Sequence, residues 1–218
     1  MLLVRDSMTR EVETLTPQTT AAEALALCRD RRIRHLPIVE DGRLVGIVSD
    51  RSLRSATPAL GDPSRAEALQ SIRVEDVMTR EVSTAHPDDP IEQAANEMRE
   101  KRIGCLPVVE HDALVGIVTS SDVMEALTYL VGAHEPGSRM EISVPDRPGT
   151  LAGAAGVFGM CGINIVSVVM GARVEPATEG APAERLVVFR VDTIDTSDVA
   201  EQLENAGYTV LWPPRKPA

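Results

Sequence analysis

The stretch Asp6-Ser7-Met8-Thr9-Arg10-Glu11-Val12-Glu13-Thr14 returns seventy residues later as Asp76-Val77-Met78-Thr79-Arg80-Glu81-Val82-Ser83-Thr84. The same shift carries Ile33, Leu36, Pro37, Val39 and Glu40 onto Ile103, Leu106, Pro107, Val109 and Glu110, and Leu44-Val45-Gly46-Ile47-Val48 onto Leu114-Val115-Gly116-Ile117-Val118. A fixed internal period means two copies of one supersecondary unit. In each copy Thr19/Thr20 or Asp88/Asp89 offer N-cap residue types ahead of a stretch rich in Ala, Glu, Leu and Arg, Ala21 to Arg32 or Ile91 to Arg102, which reads as helix. Short apolar runs follow. In the first copy Asp41-Gly42 joins them in a tight hairpin, whereas Glu110-His111-Asp112-Ala113 predicts a looser turn in the second. A further helix begins after Ser49 or Thr119, most clearly over Ser121 to Val131. Each unit therefore reads strand, helix, strand, strand, helix. A sheet this small with one apolar face cannot close a core alone, so the copies are expected to pack as a pseudo-symmetric pair.

Ile33-Arg34-His35-Leu36-Pro37-Ile38-Val39 followed by Leu44-Val45-Gly46-Ile47-Val48-Ser49, twice over, resembles a tandem CBS-domain pair, with repeat 1 at residues 1–71 and repeat 2 at 72–134. The resemblance implies a regulatory module, usually a homodimer, that binds an adenosine-containing effector (ATP, ADP, AMP or S-adenosylmethionine) in clefts between the repeats. It assigns phosphate or ribose to Thr119, phosphate to Ser121 and the ribose hydroxyls to Asp122. The chemistry suits these roles, because hydroxyls, a carboxylate and free helix amides converge where a strand gives way to a helix, and helix N-termini favour anions. The same residue types also cap helices that bind nothing. The first copy departs from the pattern: Ser49 matches Thr119, but Arg51 stands where the second copy has Ser121, and Ser52 where it has Asp122. Its ribose acceptor is missing, so unequal sites are expected. Arg51 also opposes the helix dipole unless Asp50 or a bound phosphate offsets it. Arg34 and His35, replaced by Gly104 and Cys105 in the second copy, read either as ligand groups or as a solvated edge charge and a surface histidine.

His134-Glu135-Pro136-Gly137-Ser138 breaks the repeat pattern and reads as a linker. Beyond it come an alternating strand at Met140 to Val144, a helix from Leu151 to Met160, strands at Gly162 to Val166 and Leu186 to Val191, a helix from Ser197 to Asn205, and a last strand from Tyr208 to Trp212. Arg173 to Glu184, rich in Pro, Gly, Ala and Glu, is expected to be an exposed connection. The order βαββαβ, with Asp146-Arg147-Pro148-Gly149-Thr150-Leu151 ahead of Gly162-Ile163-Asn164-Ile165, resembles an ACT domain over residues 138–213. That resemblance implies an amino-acid effector site at the turn. Gly149 and the following helix amides would receive a carboxylate, while Asp146 or Asn164 would accept from an ammonium. Alternatively Asp146 forms an Asx turn, Asn164 satisfies neighbouring backbone, and the module is a dimerisation platform. Gly153, Gly156, Gly159 and Gly162 are expected to allow close packing of the helix against the sheet or a partner. The fold class predicted is thus mixed α+β and α/β, a pseudo-symmetric CBS pair followed by a ferredoxin-like ACT domain. The order CBS, CBS, ACT resembles the acetoin utilisation family of bacteria and implies a link to acetoin or central carbon metabolism.

Composition removes several function classes. Thirty-three acidic against 22 basic residues give a charge of -11, and no Lys/Arg run offers a basic face for nucleic acid. Tyr129, Phe158, Phe189, Tyr208 and Trp212 are too few to stack exposed bases. No apolar stretch reaches the roughly 18 residues of a membrane span, so a cytoplasmic protein is expected. Cys28, Cys105 and Cys161 have no metal-ligand or paired spacing and read as buried thiols. No Gly-x-Ser-x-Gly, His-Glu-x-x-His or strand-associated Gly-x-Gly-x-x-Gly occurs, so an enzyme is disfavoured. The remaining readings are a sensor that reports to a metabolic enzyme, with no obligatory cofactor or metal, and a ligand-free dimeric assembly scaffold.

Overall fold

In the computed structural model, which describes residues 2–59, 61–174 and 183–214, the first repeat runs α1 (Val4–Ser7), α2 (Ala21–Arg31), β1 (His35–Glu40), β2 (Arg43–Ser49), α3 (Asp50–Ser55) and α4 (Arg65–Ser71). The second runs α5 (Val74–Val77), α6 (Ile91–Lys101), β3 (Cys105–Glu110), β4 (Ala113–Thr119) and α7 (Ser120–Leu130). Thr20 caps α2 as its sequence implies: its hydroxyl accepts from Glu23 N at 3.2 Å while the Glu23 carboxylate accepts from Thr20 N at 2.8 Å. At α6 the N-cap is Pro90 rather than Asp88 or Asp89, because Asp89 turns back to accept from His86 N and Asp88 pairs with Arg5.

The expected leading strand of each repeat shrinks to one parallel bridge. Leu15 N donates to Pro37 O at 3.0 Å and Val39 N to Leu15 O at 2.8 Å, and Ala85 does the same with Pro107 and Val109. The next ladder donor would be residue 17 or 87, and both are prolines, which have no N–H. The two hairpins are equally tight, contrary to the expectation for the second. Asp41 and Gly42 (φ 50° and 78°) and His111 and Asp112 (φ 50° and 65°) both make two-residue turns with left-handed central residues, closing Glu40 on Arg43 and Glu110 on Ala113.

The cores do not follow the order of the sequence. Val4 and Met8, from the start of the chain, pack with Ile91, Leu106, Val108 and Val118 of the second repeat. Val74, Val77 and Met78 pack with Leu15, Leu36, Ile38 and Val48 of the first. The Asp, Met, Thr and Arg of the repeated Asp-x-Met-Thr-Arg segment serve this exchange. Asp6 accepts from Leu3 N and Asp76 from Arg73 N, fixing a single helical turn. Thr9 trades two backbone hydrogen bonds with Ile117, each 2.9 Å, and Thr79 trades two with Ile47, of 2.9 and 3.0 Å. Arg10 donates to Arg5 O and Arg80 to Glu75 O, both at 3.1 Å. Met8 and Met78 lie over Gly116 and Gly46, where a Cβ would stand 2.6 and 2.4 Å from the respective sulfurs. The hairpin strands need glycine there to admit the methionines. A second seam joins the β1 and β3 ends, since a Cβ at Gly104 would lie 3.1 Å from both Nε2 and Cε1 of His35. Burial of His35 holds its imidazolium pKa below the ordinary value, helped by the Arg34 charge.

The chain divides into compact units Met1–Ala126 and Leu127–Ala218. The second unit contains β5 (Ser138–Pro145), α8 (Thr150–Met160), β6 (Ile165–Val174), β7 (Glu184–Val191), α9 (Ser197–Asn205) and β8 (Thr209–Trp212), in an antiparallel sheet of order β6-β7-β5-β8. Met140, Ile142, Val187 and Phe189 pack against Ala154, Val157 and Phe158 of α8 and Val199 and Leu203 of α9. Gly162 and Asn164 precede β6 rather than opening it, and the strand continues to Val174; within the connection expected at Arg173 to Glu184, residues 175–182 lie outside the described residues. Of the helix glycines, Gly153 alone makes a close approach, with the Tyr208 hydroxyl 2.5 Å from where its Cβ would stand; Gly156 and Gly159 face open space.

Gly46→Ala and Gly116→Ala are each expected to cost about 1–3 kcal/mol in denaturant unfolding. Adding Met78→Ala to Gly46→Ala should cost less than the sum of the two single changes. For His35 the folded pKa lies below the unfolded value of about 6.5, so the unfolded chain binds the proton first and stability falls as pH drops through that value. The stability difference between the wild type and His35→Gln should therefore shrink between pH 8 and pH 5.

Candidate functional site

Thr119 ends β4 and caps α7, and the cap is reciprocal. Asp122 Oδ2 accepts from Thr119 N at 2.7 Å and from Thr119 Oγ1 at 2.8 Å, and Asp122 N approaches Thr119 Oγ1 at 3.4 Å. Thr119 and Asp122 are half-buried, while Ser121 is exposed beside them. Ser120 N donates to Gly104 O at 3.0 Å, which ties the start of α7 to the β3 end and its seam with His35. Cys105, in register with Thr119, has its thiol pushed up to about 12 by burial and stays protonated.

The first repeat builds the same cap without a carboxylate. Ser49 N donates to Ser52 Oγ at 2.9 Å, and Ser52 N returns to Ser49 Oγ at 3.1 Å. Ser52 thus fills the role of Asp122, a partnership that the spacing Ser-x-x-Ser announces in the sequence. His35 pairs in register with Ser49, and Asp50 N donates to Arg34 O at 2.9 Å, so Arg34, His35, Ser49 and Arg51 lie together at one end of the β1–β2 hairpin. Asp50 forms an i,i+4 pair with Arg54 at 2.8 Å rather than offsetting Arg51, and both Arg34 and Arg51 are exposed. Two arginines therefore occupy positions where the second repeat has Gly104 and Ser121. Cys28, behind this end, has its thiol raised to about 11 by burial, with Asp50 adding to the shift.

Of the three residues assigned to an amino-acid effector in the second unit, Gly149 lines a groove that includes neither Asp146 nor Asn164. The Asp146 carboxylate is engaged by Arg185, Nε to Oδ1 at 3.1 Å and Nη2 to Oδ2 at 3.3 Å, with Arg173 at 3.8 Å; these contacts hold its pKa below the usual carboxylate range. Asp146 is therefore already paired with a cation of its own sheet. Asn164 is exposed, donates its backbone N–H to Asp192 Oδ1, and accepts from Asp192 N at its carbonyl, so it is its main chain that Asp192 holds. Gly149, with φ 86°, is the uncapped N-cap of α8 and borders an open groove of about 430 Å³ shared with Arg147, Thr150 and Tyr208. Tyr208 donates to Thr150 O at 3.4 Å, a contact that only the absence of a side chain at Gly153 permits. Tyr208 and Arg147 were not singled out by sequence; a lone tyrosine at a strand start carries no such signal.

Among the described residues no helix is long and apolar enough to cross a membrane, and no cluster of His, Cys, Asp and Glu could hold a metal ion. The CBS-domain pair of protein MJ0100, solved in complex with 5′-methylthioadenosine and S-adenosyl-L-methionine, is 31% identical with TM-score 0.51, covering 62% of this chain and 99% of that one. The candidate acetoin utilization protein AcuB of Vibrio cholerae is 36% identical with TM-score 0.53 and the same coverage. CBSX2, solved with AMP, is 26% identical with TM-score 0.52 over 60% of this chain and 99% of that one. Among curated relatives, the CBS domain-containing protein YhcV of Bacillus subtilis is 33% identical over 56% of this chain and 84% of its own length. Homoserine O-acetyltransferase of Methanohalobium evestigatum is 38% identical over 122 residues, 55% of this chain, which spans only 23% of that enzyme. The CBS-domain family model matches residues 4–58 and 74–129 and a TTHA0829-like ACT domain model matches residues 136–212, so the chain belongs to the CBS-domain family and carries an ACT domain after its CBS pair.

Proposed function

We propose that this chain is a regulatory ligand-binding protein whose CBS pair senses an adenosine-containing effector at the second repeat. The observation that carries the reading is the half-buried Asp122 carboxylate, fixed by Thr119 at the first turn of an eleven-residue helix. A carboxylate held in place accepts ribose hydroxyls without losing side-chain entropy on binding, and charge-assisted hydrogen bonds are about twice as strong as neutral ones. Thr119 and Ser121 offer hydroxyls beside the helix amides for a 5′ substituent. Relatives solved with methylthioadenosine, S-adenosylmethionine and AMP support adenosine as the common element. The first repeat, with serine in place of the carboxylate and two exposed arginines, binds more weakly or favours an anionic end.

The ACT domain takes a small effector at the groove formed by Arg147, Gly149, Thr150 and Tyr208, where Arg147 and the α8 amides receive a carboxylate. The ammonium acceptor is not Asp146, which Arg185 already engages. The protein works in the cytoplasm as a homodimer and reports to a metabolic enzyme, with acetoin or central carbon metabolism as its setting. Met124, Leu127 and Leu130 on α7 are 63%, 42% and 50% exposed, an apolar face suited to a two-fold contact, whereas Val123 and Ala126 turn into the core. The serine substitution at residue 52 and the engagement of Asp146 favour a second reading, a ligand-free dimeric scaffold.

Calorimetry decides between them. Asp122→Ala is expected to weaken S-adenosylmethionine or AMP binding by ~2 kcal/mol, about thirtyfold, and Ser52→Ala to change it little. Because Asp122→Ala also removes a cap worth about 1 kcal/mol of fold stability, Ser121→Ala, which leaves the cap intact, should show a smaller loss in the same direction. Absence of heat with every adenine ligand in the wild type leaves the scaffold. Light scattering should give twice 23.5 kDa, and Leu127→Glu with Leu130→Glu should give the monomer mass.

A further inference from the structure

The groove between α8 and α9 plays no part in that reading. α8, Thr150-Leu-Ala-Gly-Ala-Ala-Gly-Val-Phe-Gly-Met160, carries no charge, and a helix apolar all round normally lies in an interior. Yet only Ala154, Val157 and Phe158 are buried in the core; Gly156, Gly159 and Met160 are exposed, Met160 by 82%. Nothing outside the helix stands within 4 Å of where a Cβ would sit on Gly156 or Gly159, so backbone is open to the surface there. Val157, Met160, Cys161 and Ile163 form the floor of a groove of about 820 Å³. Its far wall is one face of α9, Asp198, Glu201, Gln202 and Asn205, at the i, i+3, i+4, i+7 spacing, and Asp195 stands at its mouth.

We infer that this groove docks a cationic amphipathic helix of a partner protein. Every charged residue that lines it is acidic. The Ser197 amide and hydroxyl hold the Asp195 carboxyl below its usual range, so it remains ionised. The wall of α9 repeats over two turns, about 10 Å, which matches the length of a helical segment better than that of a compact small molecule. Apolar side chains of such a helix meet the floor, and its Lys or Arg residues meet the wall. A second copy of this chain is a poor occupant, because α9 contains no Lys or Arg, and a two-fold contact would set Asp198 and Glu201 against their own images.

The test uses the full chain and two synthetic peptides of about fourteen residues with one apolar pattern, one built from Leu and Lys, the other from Leu and Glu. Fluorescence anisotropy at physiological salt should show one Leu/Lys peptide bound per chain and no binding of the Leu/Glu peptide. Met160→Gln, which leaves the net charge unchanged, should weaken binding about tenfold. Asp198→Lys with Glu201→Lys should reverse the preference to the Leu/Glu peptide. The same charge change placed elsewhere, Glu11→Lys with Glu81→Lys, should leave affinity within about twofold. Circular dichroism checks that each variant is folded. The inference is overturned by no binding, by equal loss in the distant control, by indifference to Met160→Gln, or by Met160→Gln halving the mass of the assembly, which would make a second copy the occupant.

Discussion

The packing of Met8 over Gly116 and of Met78 over Gly46 is the contact on which the CBS pair depends. Each repeat owns a two-stranded hairpin and helices of at most eleven residues, too little apolar surface to exclude water by itself. Each therefore receives a short helical turn and a methionine from the segment that opens the other. The buried valines of those turns, Val4 and Val74, contribute roughly 1.5–3 kcal/mol each. The paired backbone bonds of Thr9 and Thr79 fix the register at which the methionines enter. Because neither core is complete without the other repeat's segment, the two repeats form one cooperative body.

That coupling gives the inequality of the two sites a functional meaning. Thr119 with Asp122 and Ser49 with Ser52 are the same cap built from different chemistry, and the seam of His35 on Gly104 lies beside both, since Ser120 N bonds Gly104 O and Ser49 pairs with His35. On the proposed function, a ligand bound at the first turn of α7 would act on the β3 end and, through the seam, on the arginine-bearing end of the first repeat. The cost of ordering is shared through packed elements rather than through a flexible linker.

Much of this was legible in the sequence because it rests on repetition and local chemistry. The seventy-residue shift, the Thr20 and Thr119 caps, the Asp41-Gly42 turn and the βαββαβ order each depend on residues close together in the chain. What was hidden depends on partners far apart. The Asp-x-Met-Thr-Arg segment marked the repeat, but nothing local tells that Met8 serves the second core and Met78 the first. The tight turn at His111-Asp112 was missed because aspartate and histidine accept left-handed backbone less often than glycine, yet the matching register of β3 and β4 imposes it. The pairing of Asp146 with Arg185 follows from the register of β5 on β7, which composition cannot supply. Gly156 and Gly159 looked like packing glycines, and only the fold reveals that their faces are open.

Native-state hydrogen exchange on the full chain, with and without saturating S-adenosylmethionine, tests the coupling of the repeats most directly. The amides of Ile38 and Val39 in the first repeat and of Val108 and Val109 in the second are expected to open with one common free energy, and ligand to slow both sets by the same factor. Slowing confined to the second repeat, with the first unchanged, would contradict it.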